Sequence, residues 1–285
     1  MMSNVKEKIG YIGIGHMGGG IAQNIAKKGV DLTVYDRNPE AVSKLVGNGA
    51  KAAGSLKKLV ENVDIIIICV VNDEQVESVC HGPEGVVAYG RKGQVIVIQS
   101  TVKPATTKAV GEAAAAKGIG VIDAPVSGVE EEKLEGRLRV FVGGEEEYIK
   151  RCRPILNVIG GDSVVVVGSL GDGQIAKLIN NTMNFHNMIG AREACKVARA
   201  CGISESKLRE LVRSGDSWSL QNMDFNDGIM RVHEMGRNCY TIALKDMRDA
   251  KAVAKDVGVE TPVWDSLMEY MPTSYNERAD YLGIK

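Results

Sequence analysis

Residues Lys8–Ala26, KIGYIGIGHMGGGIAQNIA, set an apolar strand pattern (Ile9 to Ile14) directly against spaced glycines and then a helical pattern. Gly13, Gly15 and Gly18 form G-x-G-x-x-G with a strand before and a helix after. In that setting Gly13 permits the tight turn, Gly15 lets backbone approach a pyrophosphate, and Gly18 lets the helix pack closely on the strand. The helix N-terminus offers N–H groups and a partial positive charge to phosphates. A second strand, Leu32–Tyr35, ends at Asp36, near the spacing of roughly 20 residues at which an acid meets a ribose 2′-hydroxyl. A structural glycine turn has no use for strand, helix, strand and acid in that order. The candidate cofactor contacts are Gly13, Ile14, Gly15, His16, Met17, Gly18, Asp36 and Arg37, joined by Val70, Val71 and Asn72 where a third strand ends.

Strand and helix patterns alternate through about residue 168. Strands are expected at 9–14, 32–35, 65–71, 95–98, 120–122, 139–142 and 164–167, and their continuous apolar runs suit a parallel sheet buried on both faces. Helices are expected at 18–28, 39–47, 74–80, 104–117 and 145–153. From Gln174 to about Ala200 one helical pattern runs without proline, long enough to span roughly 40 Å. Further helices are expected at 204–213, 219–232, 240–257 and 262–271. The fold class is therefore α/β: a Rossmann-type doubly wound sheet domain (1–168) followed by an all-α C-terminal domain (169–285), linked by the long helix 174–200.

With 285 residues the chain can bury a sizeable core. Its net charge of −1, with acids and bases interspersed, gives no footprint for nucleic acid or a membrane surface. No apolar run approaches the ~20 residues of a membrane span, and the N-terminus has no apolar leader pattern. The six cysteines form no C-x-x-C, and no metal-ligand cluster is completed by the histidines, so no metal is expected and the thiols suit the cytoplasm.

Two later segments carry chemistry. Asp123-Ala124-Pro125-Val126-Ser127-Gly128 follows a strand, where ligands bind in open α/β folds, and its small residues and hydroxyl can hold a carboxylate. A plain turn is the alternative. On the long helix, Lys177, Asn181, Asn184 and Met188 form one stripe at spacings of four, three and four. Either this is a polar line within a buried helix, with a lysine able to exchange protons near neutrality, or a solvated face with a snorkelling lysine.

Taken together, these segments resemble the β-hydroxyacid dehydrogenases, the family of 3-hydroxyisobutyrate dehydrogenase-like enzymes, in order and over essentially the whole chain. The glycine loop resembles its cofactor signature, Gln99–Pro104 its S-T-x-x-P segment, Asp123–Gly128 its substrate segment, Gly173–Asn181 its G-x-x-x-K-x-x-x-N motif, and Leu244-Lys245-Asp246 its C-terminal K-D motif. The resemblance implies hydride transfer between a nicotinamide cofactor and a small 3-hydroxy acid. It implies Lys177 as general acid/base, Ser127 and Gly128 on the substrate carboxylate, Asn181 orienting substrate, Thr101 near the nicotinamide and Lys245 closing the site. It also implies a homodimer or homotetramer, here expected to join through residues beyond about 170.

Position 129 departs from the family's frequent second glycine. Val129 gives the far end of the substrate a bulkier wall, and the run Glu130-Glu131-Glu132-Lys133 reads as a solvated surface turn or helix start. Trp218 is a further pocket candidate. Asp36 at the strand end favours NAD over NADP, whereas Arg37 suits a 2′-phosphate. The alternatives are an NADPH-dependent reductase of small aldehyde acids, an imine reductase, against which Lys177 argues, and a non-catalytic dinucleotide-binding scaffold.

Overall fold

The computed structural model describes residues 5–204, 206–208, 210 and 239–281. The chain divides into two compact units, Met1–Lys177 and Leu178–Lys285. The first alternates strand and helix: β1 (Ile9–Ile12), α1 (His16–Lys27), β2 (Leu32–Tyr35), α2 (Pro39–Val46), β3 (Lys51–Ala52), α3 (Leu56–Asn62), β4 (Ile65–Ile68), α4 (Asp73–Cys80), α5 (Val86–Tyr89), β5 (Val95–Ile98), α6 (Pro104–Ala115) and β6 (Gly120–Asp123). There follow β7 (Val126–Ser127), α7 (Glu130–Glu135), β8 (Arg139–Gly144), α8 (Glu146–Gly160), β9 (Val164–Gly168) and α9 (Asp172–Ala200).

The strand order is β3-β2-β1-β4-β5-β6-β8-β7, with β9 on β8. The first six strands are parallel, and order reverses between β1 and β4, the switch point where open α/β sheets bind ligands. The register aligns Ile12 with Tyr35 and Ile68, and Ile98 with Ile68 and Asp123. The loops after β1, β2, β4, β5 and β6 therefore leave one edge together. Alternate side chains fill two cores. Ile9, Tyr11, Ile65, Ile67, Val95 and Val97 point to one face, and Ile12, Ile66, Ile68, Ile96 and Ile98 to the other. Two buried faces explain the uninterrupted apolar runs.

Several boundaries differ from expectation. β1 ends at Ile12 because Gly13 turns the chain at φ +88°, and β4 ends at Ile68. The strands are not uniformly parallel: β8 runs antiparallel to β6 and β7. The Val164–Val167 run is not buried on both faces. Among the described residues β9 pairs only with β8, and Val165, Val166 and Val167 are exposed. The short elements β3, β7, α3 and α5 lack the length for a periodic signal, and α8 continues through Pro154 to Gly160.

The described part of the second unit is helical, comprising α9 beyond Lys177, α10 (Cys239–Asp256) and α11 (Pro262–Tyr281). Phe185, Met188 and Ile189 of α9 pack with Ala243 and Met247 of α10 and Leu267 and Met271 of α11. The expected helix 262–271 runs ten residues further, past Pro272. The expected helix 219–232, Trp218 and half of 204–213 lie outside the described residues.

Candidate active site

The phosphate loop has the shape its glycines imply. A Cβ on Gly13 would lie 2.3 Å from the Cys69 carbonyl oxygen, and one on Gly18 would lie 2.1 Å from the Gly13 oxygen. A Cβ on Gly15 would meet nothing within 4 Å, so the backbone there is open to a ligand. No side chain caps α1 at Gly15. These features fit a dinucleotide pyrophosphate on the start of α1.

Asp36 is held rigidly at the end of β2. Its Oδ2 accepts from the Ile14 N–H at 2.8 Å and its Oδ1 from the Asn38 N–H at 2.8 Å. Arg37 beside it is exposed. Beyond β4 the chain is tied down by the Val70 N–H donating to Ser100 Oγ at 2.7 Å. Val71 is 64% exposed, and Asn72 caps α4 by accepting from the Gln75 N–H at 3.0 Å. Asp73 accepts from the Lys103 N–H at 2.9 Å and Thr106 Oγ1 at 2.6 Å, fixing the segment that carries Thr101.

The substrate segment is built around Asp123, fully buried at the end of β6. Its Oδ1 accepts from the Gly171 N–H at 2.8 Å and its Oδ2 from the Gln174 N–H at 2.7 Å, so the carboxylate anchors the start of α9. Burial pushes its pKa up to about 6, against the lowering effect of these N–H donors. Gln174, also fully buried, accepts from the Val102 N–H through Oε1 at 3.1 Å and donates from Nε2 to the Ser100 carbonyl at 2.9 Å. One residue thereby joins the S-T-x-x-P segment to the helix bearing Lys177.

Lys177 is 6% exposed, so the solvated-face reading of its stripe gives way to the buried one; Asn181 and Met188 are buried too. Ser127 is buried in the short strand β7. Gly128 is close-packed: a Cβ there would lie 2.4 Å from Glu132 Oε2 and 2.5 Å from Leu138. The Val129 N–H donates to Glu132 Oε2 at 3.0 Å, closing the start of α7. The Glu130–Lys133 run is therefore the ordered first turn of a helix, with Lys133 buried against α1 rather than solvated.

In the second unit the Asn181 amide donates to Asp246 Oδ2 at 2.7 Å. Lys245 lies 2.9 Å from Asp246 and 3.4 Å from Asp249. Burial works to lower the Lys245 pKa, but the two carboxylates carry it above the ordinary lysine value. Burial pushes the Cys69 thiol up to about 11, which disfavours its thiolate. Among the described residues no His, Cys, Asp and Glu cluster could hold a metal.

Sequence reasoning did not assign roles to Gln174, Asp73 or Lys133, and gave Asp123 only a place in a motif. The available signal was an acid closing a strand as apolar as Gly120–Asp123, with no basic neighbour to balance it.

Comparison with known proteins accords with this geometry. Residues 8–168 match the family model for the NAD binding domain of 6-phosphogluconate dehydrogenase, and 171–281 that for the NAD-binding domain of NADP-dependent 3-hydroxyisobutyrate dehydrogenase. The chain is 34% identical over 279 residues to 2-(hydroxymethyl)glutarate dehydrogenase of Eubacterium barkeri, covering 97% of this chain and 90% of the relative. It is 34% identical over 263 residues to 3-hydroxyisobutyrate dehydrogenase of Pseudomonas aeruginosa, covering 90% and 88%. The crystal structure of 3-hydroxyisobutyrate dehydrogenase from Salmonella typhimurium superposes with a TM-score of 0.80 at 26% identity, covering 95% and 94%. With the dinucleotide loop, the Asp123–Val129 segment and a buried lysine on the helix that follows the sheet, the chain belongs to the β-hydroxyacid dehydrogenase family, as an NAD(P)-dependent hydroxyacid dehydrogenase.

Proposed function

We propose that the enzyme transfers a hydride between NAD and a small 3-hydroxy acid of the 3-hydroxyisobutyrate kind, with Lys177 as general acid and base. The observation that carries this reading is the burial of Lys177 on a helix start pinned by Asp123 and Gln174. A bound nicotinamide supplies the hydride acceptor or donor. Lys177 takes the hydroxyl proton during oxidation and returns it during reduction. Ser127 and Gly128 hold the substrate carboxylate, Val129 limits its far end, and Thr101 faces the nicotinamide side. Fixing the carboxylate aims the carbinol hydrogen.

NAD is favoured by the rigid carboxylate of Asp36, which can accept from a ribose 2′-hydroxyl and repels a 2′-phosphate. The substrate is not chosen by likeness, because two relatives named for different hydroxy acids are each 34% identical. We further propose a homodimer or homotetramer joined beyond about residue 170, supported by exposed Ile179, Met183 and Val197 on α9. Light scattering that gives a monomer at micromolar concentration refutes it. A cytoplasmic location is supported by the free thiols of Cys69, Cys80, Cys152 and Cys201.

The test is reduced-nicotinamide absorbance with a panel of 3-hydroxy acids, NAD and NADP separately, for wild type and Lys177→Ala. Turnover with NAD that falls by orders of magnitude in the variant supports the reading. Turnover unchanged by the substitution refutes Lys177 as acid/base, and a preference for NADP with aldehyde acids moves the enzyme to the reductase class.

A further inference from the structure

G-x-G-x-x-G accounts for Gly13, Gly15 and Gly18 but not for Gly20, which also lies inside α1. Only proline is worse than glycine in a helix interior, so Gly20 calls for a reason. A Cβ there would lie 2.6 to 2.9 Å from three carbons of the Lys133 side chain. Lys133, on α7, is only 2% exposed. Its ammonium donates to the His16 carbonyl at 2.8 Å and lies 3.4 Å from His16 Nε2. It also pairs with Glu130, whose carboxylate is 3.5 Å from the same imidazole nitrogen.

A cation in this place is electrostatically mismatched. The first turn of a helix already carries partial positive charge, and burying an ammonium adds a desolvation penalty. An anion arriving at the loop relieves both. Glu130 meets the ammonium through a buried carboxylate oxygen, although its side chain as a whole is 38% exposed, and its charge opposes the field of Lys133 at the loop.

We propose that Lys133 is a positioning residue for the dinucleotide, a buried cation that strengthens the grip of the phosphate loop on the pyrophosphate, opposed by Glu130. It acts through the His16 backbone and through its field. The inference rests on the dinucleotide reading of the loop and adds to it the source of the charge.

The experiment is calorimetric titration of the full-length protein with ADP-ribose, which carries the pyrophosphate without the nicotinamide. Lys133→Met, which keeps the apolar stem over Gly20, weakens binding on the order of tenfold, the scale of one unit-charge interaction at an effective dielectric near 20. It also flattens the salt dependence. Glu130→Gln shifts affinity the other way and tightens binding. A purely mechanical strut predicts that both substitutions weaken binding or that neither matters, and either result overturns the proposal. If Lys133→Met does not fold, the sign of Glu130→Gln decides: tighter binding supports the proposal, and unchanged or weaker binding overturns it. Wild-type protein that fails to bind ADP-ribose overturns the dinucleotide reading itself.

Discussion

Gln174→Met removes the bridge between the Ser100–Val102 segment and α9 while keeping a side chain of similar length. In the wild type the Gln174 amide serves two buried backbone groups, the Val102 N–H and the Ser100 carbonyl. Val102 is fully buried and Ser100 nearly so, so water does not replace the amide. Each orphaned group costs about 1–3 kcal/mol. The thioether returns about 1 kcal/mol through its added apolar burial. The net loss is about 1–5 kcal/mol, centred near 3. At about 2–4 °C per kcal/mol for a domain of this size, the melting temperature falls by about 6–12 °C. Circular dichroism melts measure it. Gln174 and Lys177 are three residues apart and share a helix face, so a loosened anchor also frees the lysine. Turnover should then fall in protein that is still folded at the assay temperature. A melting temperature within about 1 °C of wild type would refute the reasoning, because the two backbone groups would then have partners other than Gln174.

Gly18→Ala drives a Cβ to 2.1 Å from the Gly13 oxygen, so dinucleotide binding is lost in calorimetry; retained affinity refutes the packing role. Asp36→Ala removes the acceptor at the end of β2, and the NAD-over-NADP ratio of kcat/KM falls about tenfold or more, the worth of a charge-assisted hydrogen bond; an unchanged ratio moves cofactor choice elsewhere. Asp123 has a folded pKa of about 6 against an ordinary 3.8, so between these values the folded state binds the extra proton and stability declines as pH rises. Measured against Asp123→Asn, wild type therefore loses about 2 kcal/mol between pH 4 and pH 7 in denaturant titrations, and a pH-independent difference refutes the assignment.

The sheet, its switch point and the phosphate loop were legible because they rest on residue types that backbone geometry demands. Gly13 at positive φ and Gly18 against the Gly13 oxygen tolerate no side chain, so the pattern is visible in the letters alone. The apolar runs of β1, β4 and β5 were visible because both faces of those strands are covered. What was not legible lies where distant segments meet. Gln174 meets Val102 across 72 residues, and Lys133 meets His16 across 117. Neither pairing has a spacing that a periodic pattern expresses. The Glu130–Lys133 run is a helix start, as its pattern allows, but the burial of Lys133 was hidden for the same reason, since its charge suggests solvent until Gly20 is seen to make room for its stem.

Two aspartates on one sheet edge show how a single device serves two purposes. Asp36 and Asp123 each close a parallel strand or the turn after it, and each accepts one backbone N–H on each oxygen. Asp36 ties the phosphate loop to the end of β2, whereas Asp123 ties the start of α9 to the end of β6. They differ in what else can reach them. Asp36 is partly exposed, so its remaining lone pairs are available to a ribose hydroxyl. Asp123 is fully buried, and its pKa of about 6 records a carboxylate shut away from water. The first can recognise a ligand by touching it, and the second can act only through the helix it holds. Substitution at Asp36 should therefore change which dinucleotide is preferred. Substitution at Asp123 should disturb Lys177 and leave that preference intact.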